Sequence, residues 1–271
     1  MKKLMLSLVA LALALSAVAV QAADDSSDAK NYSVEVSADF FSAYVSRGQV
    51  FNDEPVFQPN LWVEMPYGFD FNLWATMDVT DSDKSCVPDT GGRWSEFDFT
   101  LGWSAPLPED SPVALWVGST YYTYPQDTTD DDYDAAVKLS GNCILNPWIR
   151  LVHECDGSGH LRVDFGVSHS FELTDAISLG LSAECTYGMD KWMDKWNRTD
   201  DNGATVVEGG DAGLVDIMAM ATLGWQVTDN WSVALKAGWS SLINDDARDS
   251  ADFDDIEKDI FYGGVSTAWS F

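Results

Sequence analysis

The stretch Phe69-Asp70-Phe71-Asn72-Leu73-Trp74-Ala75-Thr76-Met77-Asp78-Val79 decides the fold. Its odd-numbered positions are apolar and most of its even-numbered positions are polar, which is the period-two pattern of a β-strand with one wet face. The C-terminal segment repeats the pattern, with Phe261, Val265, Trp269 and Phe271 on one parity. This alternation predicts strands whose apolar face meets a different environment from their polar face.

The same alternation recurs along nearly the whole chain. The segments cover about 32–47, 55–65, 69–80, 92–104, 112–124, 132–140, 146–156, 160–173, 176–188, 211–227, 231–242 and 258–271. Many of them are long enough to cross a bilayer as tilted strands, which takes roughly 9–11 residues. Short and long links alternate between them except at the short link 157–159, as in barrels with short periplasmic turns and long extracellular loops. We therefore predict an all-β fold, an antiparallel transmembrane β-barrel of about 12 strands with acidic extracellular loops.

The N-terminus has the features of a cleaved signal peptide. Lys2 and Lys3 precede the apolar stretch 4–20, and Ala22 ends a small-residue motif that a signal peptidase recognises. We predict that residues 1–22 are removed and that residues 23–271 form one barrel. The predicted location is the bacterial outer membrane.

The composition reinforces this prediction. A net charge of −29 argues against nucleic acid as a partner, because phosphates need Lys and Arg. The chain nevertheless contains 12 Trp, which is unlike a disordered acidic protein. Both facts fit a barrel with aromatic residues towards lipid and acidic residues towards water. Five tryptophans near strand ends suit an interfacial girdle: Trp103, Trp225, Trp231, Trp239 and Trp269.

If the apolar parity faces lipid, the opposite parity faces the lumen, where charged side chains cost little. The acidic lumen-lining candidates are Glu35, Asp39, Glu64, Asp70, Asp78, Glu96, Asp98, Asp164, Glu172, Glu184 and Asp216. The basic candidates are Arg47, Lys138, Arg150, Arg162 and Lys236. Two interpretations remain open: these groups pair and fill a narrow lumen, or they line a cation-leaning pore or polar ligand site.

The cysteines show no C-x-x-C pair, so no zinc or redox motif is indicated. Cys86 and Cys155 fall at the extracellular end and could form a bridge, whereas Cys143 lies in a periplasmic turn and Cys185 on a lipid-facing parity. The acidic loops, such as 245–259, are interpreted as solvated and screened by divalent ions. We predict no cofactor.

Catalysis is not predicted. A barrel hydrolase of this size would need a Ser nucleophile with an oriented His base, and the only histidines are His153, His160 and His169. His153 and His169 lie on the apolar parity. His160 lies beside a short loop and has no evident acid–base partner in the sequence.

The tandem repeat 189–196 contains Met189, Trp192, Met193 and Trp196 at helical spacing, so they share one face. It predicts a short helix that packs over the barrel mouth. A partner-binding epitope is the alternative.

The segment 42–49, followed by 53–59, resembles the opening strands of the TorF-like family of putative outer-membrane porins. Tyr44, Val45, Arg47 and Gly48 carry the resemblance. It implies a barrel without established catalytic residues. Apart from this resemblance, the sequence pattern predicts that Arg47 is an inward-facing charge at the outer rim and that Gly48 permits the loop to bend.

We therefore predict a porin-like passive channel for small solutes with a preference for cations. The alternative is a structural or adhesive barrel with a plugged lumen that acts through its extracellular loops. The expected partners are outer-membrane lipid and lipopolysaccharide, together with the barrel-assembly machinery, which would read the C-terminal strand ending in Phe271.

Overall fold

The computed structural model describes residues 32–81, 91–108, 110–126, 131–155, 160–199 and 205–271. Its main sheet is a closed antiparallel barrel of twelve strands, in which each strand pairs with the next along the chain and the last with the first. This confirms the predicted fold class. The strands are β1 (Ser33–Phe41), β2 (Val56–Glu64), β3 (Phe69–Asp78), β4 (Arg93–Ser104), β5 (Val113–Thr123), β6 (Asp132–Gly141), β7 (Trp148–Glu154), β8 (Leu161–Glu172), β9 (Ile177–Gly188), β10 (Gly213–Gln226), β11 (Trp231–Leu242) and β12 (Asp259–Ser270).

Both ends of the described chain lie at the same end of the barrel, because Glu35 of β1 pairs with Ser270 of β12. We call this the termini end and the opposite one the loop end. The links at the termini end are 65–68, 105–112, 142–147, 173–176 and 227–230. No helix in the described residues is long and apolar enough to cross a membrane.

The outer surface of the barrel is apolar because the strand register aligns the apolar parities of neighbouring strands. Leu73 of β3 lies opposite Phe99 of β4, which lies opposite Tyr121 of β5. The C-terminal row behaves as its parity predicts: Phe261 and Trp269 of β12 are exposed on this outer surface. A surface of this kind is stable only against hydrocarbon, and closure leaves no unpaired strand edge there.

The first predicted segment, 32–47, is wrong in its length. Strand β1 ends at Phe41, and the chain then forms a two-stranded hairpin, Tyr44–Ser46 with Gln49–Asn52, which we call the inner hairpin. Ala43 is 3% exposed and Val50 is 1% exposed, so the inner hairpin is packed inside the barrel. Because its strands also alternate with period two, the sequence pattern runs on without a visible break.

Two segments cover the loop end. The first contains helix α1 (Asp190–Met193) and the 3₁₀ turn Asp194–Trp196, which confirms the predicted helix in the tandem repeat. The second contains helix α2 (Asp245–Phe253), which lies where the acidic sequence predicts a solvated loop. The side chain of Asn244 caps this helix by accepting a hydrogen bond from the backbone N–H of Ala247 at 3.0 Å.

These two segments bury a common apolar cluster, which we call the outer seal. Its members are Trp192, Met193, Trp196, Val215, Leu242, Ala247 and Ala251, with Ile256 packed against them. The remaining short elements are the 3₁₀ turn Pro66–Gly68 and the strand pair Arg198–Thr199 with Thr205–Val207. The outer seal joins α1 and α2 to the loop ends of β10 and β11.

Candidate functional site

Along β8 and β9, the inner wall of the barrel is exposed to solvent towards the termini end and buried towards the loop end. On the inner face of β9, Ser182 and Glu184 are exposed to solvent, whereas Thr186, the next inward residue, is 3% exposed. Strand β8 shows the same change, from exposed Ser170 to Asp164, which is 4% exposed. Water therefore enters the lumen from the termini end and stops about two-thirds of the way along these strands. We call this wet part of the lumen the vestibule.

The inner hairpin closes the lumen above the vestibule. Its Tyr44 hydroxyl donates a hydrogen bond to Glu96 Oε2 of β4 at 2.9 Å. At its tip, Arg47 and Gly48 both have positive φ, 50° and 76°. A Cβ added at Gly48 would lie 2.5 Å from the Cβ of Asp216 on β10, so the tip touches the far wall. The hairpin thus spans the lumen.

Burial of the Tyr44 side chain raises the pKa of its hydroxyl well above the ordinary value, and the negative charges of Glu96 and Asp98 raise it further. The hydroxyl therefore stays protonated, and it remains a hydrogen-bond donor to Glu96 at any ordinary pH. This bond anchors one side of the inner hairpin to β4.

The described residues enclose two cavities beside the inner hairpin. One, of about 310 Å³, lies towards β12 and is lined by Phe41, Met220 and Tyr262 among others. The other, of about 280 Å³, lies towards β3–β8 and is polar. Its wall combines aromatic rings, carboxylates and guanidinium groups: Trp74, Trp116, Tyr122, Glu96, Asp98, Asp134, Arg47, Arg150 and Arg162.

A buried ion network holds the wall on the far side of this polar cavity. Arg162 is 2% exposed. Its Nη1 donates to Glu154 Oε1 at 2.6 Å and its Nη2 to Asp134 Oδ2 at 3.2 Å. Its Nε lies 3.3 Å from Asp164, which also accepts a 2.7 Å bond from Arg150 Nη2. Because these charges are paired and hydrogen-bonded, their burial is tolerated.

The network also reaches the outer seal. Glu154 Oε1 accepts a 2.9 Å hydrogen bond from the indole Nε1 of Trp192, and Lys195 forms an ion pair with the same carboxylate. His160 Nδ1 lies 3.7 Å from Glu154 Oε2, so His160 has an acidic neighbour that its sequence context did not indicate. The segment 190–196 is thus fixed to β7 by polar contacts as well as by apolar packing.

Large aromatic rings lie flat on the inner wall, each over a glycine of a neighbouring strand. A Cβ on Gly102 would lie 2.3 Å from the indole nitrogen of Trp116, and one on Gly166 would lie 2.9 Å from the ring of Trp148. The Trp116 nitrogen donates to Asp70 Oδ2 at 2.9 Å. These glycines make room for rings that would otherwise have to project across the lumen.

The predicted lumen-lining residues fall into groups along the barrel axis. Glu35, Glu64 and Glu172 lie near the termini end, and Asp78 is buried at the loop end. Five candidates line the vestibule and the wall above it: Lys138, Arg150, Glu184, Asp39 and Lys236. Lys236 Nζ lies 2.9 Å from Asp39 Oδ1. The structure brings Arg47, Glu96 and Asp98 together around the polar cavity.

The remaining candidates pack within the wall. Arg162 and Asp164 belong to the ion network, Asp70 binds Trp116, and Asp216 lies under the hairpin tip. Arg47 differs from its prediction in one respect. It lies at the tip of the inner hairpin within the lumen and not at the outer rim, because β1 stops six residues before it.

Two members of the ion network, Asp134 and Glu154, were missed by the sequence analysis. Asp134 has the parity of Lys138 on β6 and Glu154 the parity of Arg150 on β7, so the parity rule itself could have found them. The parity rule also predicts three inward rings, because each lies on the polar parity of its strand: Trp74, Trp116 and Trp148.

The other histidines and cysteines are not part of this site. His169 packs edge-on against Phe171 at 4.4 Å between ring centroids, on the apolar parity. His153 Nδ1 lies 3.1 Å from the sulfur of Cys155, which is a free thiol, as are Cys143 and Cys185. The predicted bridge from Cys86 to Cys155 and the predicted signal peptide, 1–22, involve residues outside those that the structure describes. In the part of the chain that the structure describes, no group of three or more His, Cys, Asp or Glu side chains is placed to hold a metal.

The fold is similar to those of solved outer-membrane channels. An outer membrane channel from Pseudomonas putida F1 is 13% identical, with a TM-score of 0.51 over 91% of this chain and 99% of that one. The KdgM porin is 10% identical, with a TM-score of 0.49 over 88% and 99% of the two chains. The NanC porin is 9% identical, with a TM-score of 0.49 over 87% and 98%. Among curated proteins, none matches the sequence.

A protein-family model matches almost the whole sequence. The match covers residues 18–271 and therefore includes all twelve strands, the inner hairpin and both segments of the outer seal. The TorF-like name suggested by the opening strands is not confirmed. The chain belongs to the family described as MltA-interacting protein MipA.

Proposed function

We propose that this barrel is a passive outer-membrane channel for small solutes, with a preference for cations, whose loop end is closed in the state described here. The observation that carries the proposal is the vestibule. On β9 the inward residues are accessible to solvent from the termini end up to Glu184, and a lumen that opens to water on one side is expected of a channel whose other end is closed. The termini end then faces the periplasm and the loop end the cell exterior.

The preference for cations follows from the charges that line the path. Of the lumen-lining candidates, eleven are acidic and five are basic. Within the described residues Arg150, Arg162 and Lys236 are each paired with an aspartate, and Arg47 and Lys138 form no ion pair. The acidic residues Glu35, Glu64, Glu172 and Glu184 also form none within that part of the chain, so the acidic groups remain in excess. The fixed charge that a passing ion meets is therefore mostly negative. A charged passage with low-dielectric walls concentrates counter-ions in this way.

Opening requires movement of the inner hairpin and the outer seal. The hairpin is held to the wall by the Tyr44–Glu96 hydrogen bond and by contact of its tip with β10, and neither contact is covalent. Ordered segments of this kind can exchange between two positions on the microsecond-to-millisecond timescale. The proposed channel thus conducts in brief openings.

Planar-bilayer recording of the purified, folded protein tests this proposal. We expect discrete conductance steps and, under a KCl gradient, a reversal potential of the sign that cation flow gives. A variant in which Gly-Ser residues replace the inner hairpin, 44–52, should show larger and longer steps. Silence of both proteins over long recordings would overturn the proposal.

A second candidate function is a plugged barrel that acts by binding a partner. The outer seal favours it, because α1 and α2 bury apolar side chains over the mouth and leave the loop surface structured. The family description also names a protein that interacts with MltA. If the hairpin-replaced variant conducts but the native protein never does, this second candidate is preferred.

A further inference from the structure

Two positive charges stand side by side at the wall of the vestibule. Lys138 of β6 and Arg150 of β7 are direct cross-strand partners, and both point inward. Like charges placed directly opposite each other destabilise a sheet. Arg150 donates hydrogen bonds from its Nε and Nη2 to the Asp164 carboxylate. In contrast, no ion pair within the described residues includes Lys138. Lys138 is therefore a cation in contact with water that lacks a carboxylate partner.

An aromatic platform lies next to this pair. The Lys138 ammonium is 5.0 Å from the centroid of the Trp148 ring, and the Arg150 guanidinium is 6.0 Å from it. The ring lies over Gly166 of β8, whose missing side chain makes room for it. The indole face is thus fixed against the wall at the level where the vestibule is wet.

A carboxylate without an ion pair completes the group on the other side of the platform. Gly166 pairs with Trp148 on one side and with Glu184 on the other, so the three lie in one cross-strand row. Glu184 is exposed to the vestibule and attracts both Arg150 and Lys138 electrostatically. Two strand spacings, roughly 10 Å, separate the backbones of Trp148 and Glu184, and the flat ring fills that gap.

We propose that Lys138, Arg150, Trp148 and Glu184 form a binding site for a small zwitterion of the amino-acid or dipeptide class. The carboxylate of the solute binds Lys138 and Arg150, which lie over the Trp148 ring, its ammonium binds Glu184, and its middle lies along the edge of the ring between them. The excess of acidic groups in the lumen repels a free anion, so an anionic group reaches the lysine only when it carries its own positive charge. This inference rests on the proposed channel, because the site lines its path.

Binding is measured with the full mature protein in detergent micelles, since the site opens to the termini end and needs no open outer seal. Titration calorimetry at constant ionic strength compares four probes: glycylglycine, the neutral N-acetylglycinamide, ethylammonium and acetate. We expect glycylglycine to bind at least about ten-fold more tightly than each of the others, because each of the others lacks at least one of the two charged groups that bind the site. Equal binding of acetate or ethylammonium would overturn the inference.

Variants locate the site. Lys138→Gln and Glu184→Gln should each weaken glycylglycine binding by about ten-fold, and Lys138→Arg should retain it. Lys258→Gln, which removes a lysine charge at the loop end, is the matched control and should bind as the native protein does. The heat-dependent shift in gel migration that folded barrels show verifies folding, and Glu184→Gln tests the site independently if Lys138→Gln fails to fold.

The two proposals fail separately. Conductance steps without glycylglycine binding would remove the zwitterion site and leave the channel. Saturable binding, abolished by Glu184→Gln, in a protein that never conducts would remove the channel and retain the site. Binding that is unchanged in both Lys138→Gln and Glu184→Gln contradicts the assignment of these residues.

Discussion

Replacement of Arg162 by Met is the most demanding test of the buried ion network. The guanidinium is 2% exposed and contacts three carboxylates, those of Asp134, Glu154 and Asp164. Methionine fills the space of the aliphatic stem of Arg162 without its guanidinium group, so the change removes the charge and the hydrogen bonds while the packing of the stem is kept. The carboxylates then remain buried without their shared cation.

The size of the effect follows from what else each carboxylate contacts. Asp164 keeps Arg150, and Glu154 keeps Lys195 and the Trp192 indole. Among the described residues, Asp134 keeps the hydrogen bond from the Tyr122 hydroxyl at 3.0 Å and loses its one ion pair. Removal of one partner from a buried ion pair costs about 3–5 kcal/mol. We expect a loss of that size and not three times as much.

The free energy of unfolding is measured by urea titration of the protein folded into lipid vesicles, with tryptophan emission as the signal. The control is Arg198→Met, since Arg198 pairs with Asp254 at the exposed loop end and such pairs contribute about 0–1 kcal/mol. A loss for Arg162→Met below about 1 kcal/mol, or equal to that of the control, would refute the reasoning.

Three further predictions concern the lumen and its closure. Gly166→Ala places a Cβ against the carbonyl oxygen of Ala183 and the Trp148 ring, so the free energy of unfolding should fall by about 1–3 kcal/mol, measured by the same urea titration; no change would show that both neighbours can shift freely. Gly48→Ala places a Cβ against the far wall at a positive φ, so the hairpin tip should withdraw and the open fraction in bilayer recordings should rise; an unchanged record contradicts the placement of the tip. Trp192→Phe removes the indole donor to Glu154 from the outer seal, and we expect faster cleavage of the 189–199 segment by added protease, with equal rates as the contrary result.

The barrel could be predicted from the sequence because its determinants are local. Each strand has one face towards lipid and one face towards the lumen. Consecutive residues therefore alternate between apolar and polar, as in 69–79 and 261–271. The same rule predicted the inward direction of Arg162 and Glu184. The alternation predicts only whether a side chain points inward or outward. The position of that side chain along the barrel axis depends on the register between all twelve strands, which cannot be read from one segment.

The closure of the lumen could not be predicted for a related reason. The inner hairpin alternates like a strand, so its turn back into the barrel leaves no local mark before Gly48. The α2 segment has an acidic composition typical of a solvated loop, and only its Asn244 cap and the small residues Ala247 and Ala251 indicate a helix with a buried face. Its burial depends on contact with Trp192, more than fifty residues away in the sequence.

The most direct test of the central claim is cysteine labelling along the inner face of β9 in a background without native cysteines. A water-soluble maleimide should modify Ser182→Cys and Glu184→Cys in the folded barrel at rates near that of an exposed thiol. It should modify Thr186→Cys at least about a hundred-fold more slowly, because opening of a buried site costs free energy and about 1.4 kcal/mol corresponds to each factor of ten. Equal labelling at the three positions would contradict a vestibule that ends below the inner hairpin and the outer seal.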